Sequence, residues 1–164
     1  MNMINNMIVV GMADLNATKS PGILTTLGLG SCVGITFWDK LTKTGGMAHV
    51  MLPDSTQIRN NTNRAKFVDT AVVDLIESLK KLGVKENNLE AKVTGGAQMF
   101  ALTTTNENMK IGERNIEATL KILKDRGIPI VAQDTGLNYG RTIELHTETG
   151  KLVVKTIGHG VKTL

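Results

Sequence analysis

The stretch Thr25–Pro53, TTLGLGSCVGITFWDKLTKTGGMAHVMLP, restricts the fold of this chain more than any other. It sets two strand-like runs, VGITFW and GMAHVML, on either side of a polar turn, and a glycine-rich bend, Gly28-Leu29-Gly30-Ser31, just before the first. Two apolar, β-branched runs joined by a short polar segment favour an antiparallel hairpin. The chain's only cysteine, Cys32, opens the first run, and His49 lies in the second. A thiol beside an imidazole is the minimal equipment for a cysteine nucleophile: the thiolate attacks, and the histidine takes and returns the proton.

A hairpin turning at Lys40 and Leu41 sets Cys32 directly opposite His49, where paired side chains have Cβ atoms only about 4.5–5.5 Å apart. A turn closing nearer Thr44-Gly45-Gly46, or a bulge there, slides His49 along by several residues. Plainer readings exist for both residues. A lone cysteine is ordinarily a small buried hydrophobe, and a histidine flanked by Met47 and Met51 suits a core position with its ring bonded to a backbone carbonyl. The bend before Cys32 favours chemistry, because glycines let backbone N–H groups face a site and hold an oxyanion. Gly30 and Ser31 are the candidate donors. A dinucleotide site is excluded: Gly28, Gly30 and Gly34 are spaced one residue too long, and a strand rather than a helix follows.

TLGLGSCVGI and GGMAHVMLPDS, followed by NRAKFVDTAV, AKVTGGAQMF, IGERNIEATLKIL and IPIVAQDTGLNYGRTIEL, resemble the CheD family of bacterial chemotaxis proteins, the chemoreceptor glutamine deamidases. The resemblance runs from about Ile8 to Ile157. It implies that Cys32 is the nucleophile, that His49 is its base and that Thr26, six residues before the cysteine, completes the set by orienting the imidazole. It implies hydrolysis of receptor glutamine side chains to glutamate through a thioester, with no cofactor and no metal. The implied partners are cytoplasmic helices of methyl-accepting chemoreceptors and a CheC-like phosphatase. A neighbouring imidazolium is expected to lower the Cys32 pKa below the ~8.5 of a free thiol, in an open cleft.

Composition is consistent with this. A chain of 164 residues is expected to form a single domain over 1–164 with a conventional core. One cysteine makes no internal disulfide. The N-terminus lacks the basic start and apolar run of a signal peptide, and no run approaches the ~20 apolar residues of a membrane span, so a cytoplasmic location is expected. A net charge of +4 with few aromatics suits neither nucleic-acid stacking nor phosphate tracking. It suits an acidic partner such as a glutamate-rich receptor helix.

Elsewhere, Met7–Gly11 and Ile23–Leu27 read as strands separated by a polar connection, and Pro53–Asn63 as a surface loop. Arg64–Leu82 reads as a helix capped by Asn63 and ended by Gly83, with Phe67, Ala71, Leu75, Leu79 and Leu82 on one face. Leu89–Thr94 is a strand. Met99 and Phe100 are either buried or part of an apolar contact patch. Gly112–Arg126 is a second helix facing inward through Ile116, Leu120 and Leu123; Ile128–Ala132 is a strand; and RTIELHT and KLVVKTI form a hairpin. His146 is placed facing solvent and His159 in a mobile terminal segment. The order predicts an α+β domain with a mixed or antiparallel sheet and both helices on one side, a CheD-like cysteine hydrolase fold.

Two other functions fit less well. A non-catalytic regulatory adaptor of the chemotaxis system does not need Cys32, His49 and Thr26 together. A thiol redox sensor lacks a second cysteine to resolve an oxidised one.

Overall fold

The computed structural model describes residues 6–99 and 110–164. Its strands are β1 (Met7–Val9), β2 (Asp14–Lys19), β3 (Ile23–Leu29), β4 (Val33–Asp39), β5 (Thr44–Val50), β6 (Leu89–Gly95), β7 (Ile130–Thr135), β8 (Arg141–His146), β9 (Lys151–Thr156) and β10 (Gly160–Thr163). The helices are α1 (Val68–Lys81) and α2 (Ile111–Asp125). The α+β class, the mixed strand pairing and the helices on one side agree with the sequence reading. The strands divide between two sheets, β1-β3-β8-β9-β10 and β2-β5-β4-β6-β7.

Three layers result: the β1-containing sheet, the β4–β5 sheet, and the helices. The β4–β5 hairpin is the middle layer, which explains why its two runs are apolar with little alternation. All of β5 is buried, and β4 nearly so. One face, through Val33, Ile35, Phe37, Ala48 and Val50, joins Leu75, Ile76, Leu79 and Leu123 in the helix-facing core. Each such side chain contributes about 1.5–3 kcal/mol when fully removed from water. The other face meets Leu24, Leu29, Ile143 and Leu145 of the opposing sheet through Met47. Two glycines permit this close sandwiching. A Cβ on Gly34 would fall 2.7 Å from Ile143 Cδ1, and one on Gly46 would fall 2.8 Å from Leu75 Cδ1.

Several local expectations change. The polar segment after β1 is itself a strand, β2, paired with β5 along the sheet edge. Asn63 caps a separate 3-10 turn at Arg64–Lys66 through Ala65 N, while α1 begins after Phe67 without a side-chain cap. The segment around His159 ends in β10, paired with β9. Phe100 and the Thr/Asn-rich stretch after it lie outside the described residues; Met99 is half-exposed.

Candidate active site

The hairpin closes two residues later than a turn at Lys40–Leu41 would place it. Asp39 pairs with Thr44, leaving a four-residue loop, and Gly34 rather than Cys32 stands opposite His49. Asp39 fixes this loop: its Oδ1 accepts from Leu41 N at 3.0 Å and its Oδ2 from Thr42 Oγ1 at 2.7 Å. Cys32 lies just before the ladder, two residues from Gly34, on the face that carries His49, because strand residues two apart point the same way. Gly34 itself has no room for a side chain, because Ile143, Leu29 and Thr94 fill the space a Cβ would take. Both residues are enclosed rather than set in an open cleft, with Cys32 8% and His49 1% exposed.

Thr26 comes from β3 in the opposing sheet. Its Oγ1 lies 2.7 Å from His49 Nδ1 and donates to Val10 O at 2.7 Å. A hydroxyl has one proton. Since that proton goes to Val10 O, the oxygen must accept from His49, so Nδ1 carries the hydrogen. The neutral imidazole then presents a bare lone pair at Nε2, a buried atom with no hydrogen-bond partner among the described residues, the Cys32 thiol included. Catalytic hydrogen bonds are often long without substrate and tighten when it binds.

All three carbonyls of the Gly30–Cys32 turn are anchored. Gly30 O accepts from Ala97 N at 2.8 Å, Cys32 O accepts from Gly96 N at 2.8 Å, and Ser31 O accepts from Asn115 Nδ2 at 2.9 Å. In a trans peptide the C=O and the following N–H point in opposite directions. Tying the carbonyls of Gly30 and Ser31 therefore turns the N–H groups of Ser31 and Cys32 away from those anchors. The Cys32 backbone N–H favours the thiolate, so it joins Gly30 and Ser31 among the backbone donors at the bend.

A family model described as CheD chemotactic sensory transduction matches residues 51–156. A probable chemoreceptor glutamine deamidase CheD of Caldanaerobacter subterraneus is 56% identical over 98% of this chain and 99% of its own length. The chain belongs to the CheD family. A second relative of that name, from Lachnoclostridium phytofermentans, is 53% identical over 98% of this chain and 100% of its own. The chemoreceptor glutamine deamidase CheD of Halalkalibacterium halodurans is 46% identical over the same shares. The family-model match starts beyond His49, so Thr26, Cys32 and His49 are spanned only by the near-full-length relatives.

In this CheD-family chain, burial sets the resting charge of both groups. It raises the Cys32 thiol above the ordinary thiol value, outweighing the opposite pull of the Cys32 backbone N–H, and it lowers His49 below the ordinary histidine value. The imidazolium-lowered thiol expected from sequence is thus replaced by a neutral thiol and a neutral imidazole. The other two histidines lie elsewhere: His146 is 3.4 Å from Glu144 Oε1, and His159 stacks on Tyr139 with ring centroids 4.0 Å apart. An open cavity of about 800 Å³ lies between the 53–57 loop and α2, lined by Pro53, Arg114 and Ile122 among others, and it does not include Cys32.

Sequence periodicity missed Asn115. It points α2 inward through Ile116, Leu120 and Leu123; of these only Leu123 is buried, Ile116 and Leu120 are half-buried, and the buried face is Gly112, Asn115, Thr119 and Leu123. The usable signal was position: Asn115 sits one turn before Thr119 and two before Leu123, on the same helical stripe.

Proposed function

We propose that this protein hydrolyses glutamine side chains of chemoreceptors to glutamate, with Cys32 as nucleophile, His49 as base and Thr26 as the group that orients it. The observation that carries this reading is the single hydroxyl proton of Thr26. Its donation to Val10 O obliges His49 to hold its hydrogen on Nδ1 and to keep Nε2 free as a base. The names borne by near-identical-length relatives supply the substrate class.

The resting pair is neutral, so proton transfer accompanies attack. Cys32 Sγ bonds to the carboxamide carbon as its proton moves to His49 Nε2. Backbone N–H groups of the Gly30–Cys32 bend receive the oxygen as it becomes negative. Nε2 then returns its proton to the nitrogen, the C–N bond breaks, and ammonia leaves a thioester on Cys32. Water attacks the thioester while Nε2 takes its proton; the C–S bond breaks, glutamate is released, and Cys32 recovers its proton. The net change consumes one water and releases one ammonia.

Such a reaction gives the receptor a carboxylate in place of a neutral amide. The CheD resemblance also supports a CheC-type phosphatase as a binding partner, and a cytoplasmic site of action follows from the cytoplasmic helices it would modify. No helix among the described residues is long and apolar enough to cross a membrane.

The test is mass spectrometry of receptor cytoplasmic fragments after incubation with the protein. Exchange of NH₂ for OH on specific glutamines, with ammonia released in step, is the expected result. Fragments that bind yet retain every amide would favour the adaptor function instead.

A further inference from the structure

Asn115 projects from α2 into the interior, 0% exposed, and its one amide nitrogen bridges the segments just before β4 and just after β5. Nδ2 donates to Ser31 O at 2.9 Å and to Met51 O at 3.0 Å. Ser31 immediately precedes Cys32, and Met51 follows His49 by two residues. The β4–β5 ladder ends at Val33 and Val50, so beyond it nothing in the sheet holds these two segments together. Two carbonyl oxygens repel one another unless a donor lies between them. A carboxamide NH₂ is a compact, uncharged group that supplies two hydrogens from one atom. The orientation of the amide is fixed by this, because both partners are acceptors.

The rest of the side chain argues against a purely stabilising role. Oδ1 is buried with no hydrogen-bond partner among the described residues, a group that an apolar side chain of similar size would not bring into the interior. The helix that presents Asn115 is itself seated firmly. A Cβ on Gly112 would fall 2.6 Å from both Gly96 O and Ala97 O, the segment whose N–H groups hold Cys32 O and Gly30 O.

We infer that Asn115 is a positioning residue of the deamidation: by clamping Ser31 O and Met51 O it orients the Ser31–Cys32 peptide and holds the nucleophile turn against the strand end that carries His49. The inference rests on the Cys32–His49 pair proposed above. Releasing Ser31 O frees that peptide to rotate, which shifts Cys32 relative to His49 and swings its N–H away from the developing oxyanion. Releasing Met51 O loosens the chain beyond His49. Substrate binding over the wider surface is untouched.

Asn115→Asp keeps the shape but replaces the donor with an acceptor, and Asn115→Ala removes the clamp outright. Each is expected to lower kcat on the order of 10–100-fold with KM little changed. The decisive readout is alkylation of Cys32 by iodoacetamide across pH in four proteins: unaltered, Asn115→Ala, His49→Ala and the double variant, each shown folded by circular dichroism. Asn115→Ala should slow alkylation near neutral pH, His49→Ala should slow it too, and the double variant should be no slower than His49→Ala alone. If Asn115→Ala does not fold, Asn115→Ser, which keeps one donor, takes its place in the cycle. A folded variant with unaltered kcat and alkylation profile would overturn the inference. So would an Asn115 effect of equal size with and without His49, which would mark a structural role only. A His49→Ala profile identical to the unaltered protein's would overturn the Cys32–His49 pair itself, and the inference with it.

Discussion

The two faces of the β4–β5 hairpin are built from the same two strands and serve opposite ends. Toward the helices it presents Val33, Ile35, Phe37, Ala48 and Val50, all apolar and closed against α1 and α2. Toward the other sheet it presents Gly34, Thr36, Met47 and His49, and Cys32 joins the core on that side. The first face spends every position on burial. The second is just as buried but gives up apolar side chains for a missing one at Gly34, an imidazole and a thiol. Because alternate residues of a strand point to opposite sides, one hairpin can be anchored by its even positions and reactive at its odd ones, or the reverse, without either set disturbing the other.

Paired substitutions should break this division most visibly. Cys32→Ala removes the nucleophile while deleting only the sulfur, so deamidation measured as ammonia release should vanish while the thermal midpoint moves little. Phe37→Ala on the opposite face should do the reverse, costing about 3–5 kcal/mol in urea unfolding while leaving the chemistry intact in whatever fraction stays folded. A Cys32→Ala protein that unfolds, or one that still turns over at the full rate, would contradict the division.

Thr26→Val sharpens the comparison within the reactive face. It keeps the shape of the side chain and removes the oxygen that both accepts from His49 Nδ1 and donates to Val10 O. The imidazole loses its fixed tautomer, so kcat should drop on the order of 100-fold. Leaving buried polar groups unpaired should also cost about 1–3 kcal/mol of stability. Turnover unchanged by Thr26→Val would remove Thr26 from the site.

A smaller effect concerns pH. Burial lowers His49, and the base must be neutral to act. The acid limb of kcat/KM should therefore lie below the ordinary histidine value of about 6.5. The same shift bears on stability: the unfolded chain takes up a proton near that value while the folded protein resists it. The contribution is intact above about pH 6.5 and declines as pH falls toward the folded-state value. A limb centred at or above the ordinary value would mean that His49 is solvated or paired with an anion.

What was legible in the sequence divides along physical lines. Cys32 and His49 stood out as rare residue types beside a glycine-rich bend, Thr26 only through the resemblance to CheD proteins, and both helices through their period. The hairpin register did not, because it depends on two side-chain bonds from Asp39 that lengthen the loop. The strand β2 read as a polar connection because it lies at a sheet edge, with only Leu15 and Ala17 turned toward the helix-side core. The second sheet was hidden for a related reason: which strands share a sheet is decided by long-range pairs such as Thr26 with Ile143, and no local pattern carries that. Asn115 was hidden because a polar residue inside an amphipathic helix ordinarily marks the solvent side.

The account turns on which nitrogen of His49 holds the hydrogen, and ¹⁵N NMR of the imidazole in the folded protein near neutral pH measures this directly. A protonated Nδ1 and an unprotonated Nε2 are predicted, with the pattern lost in Thr26→Val. A hydrogen found on Nε2 in the resting protein would contradict the account, because the ring would then have no lone pair to offer the Cys32 thiol.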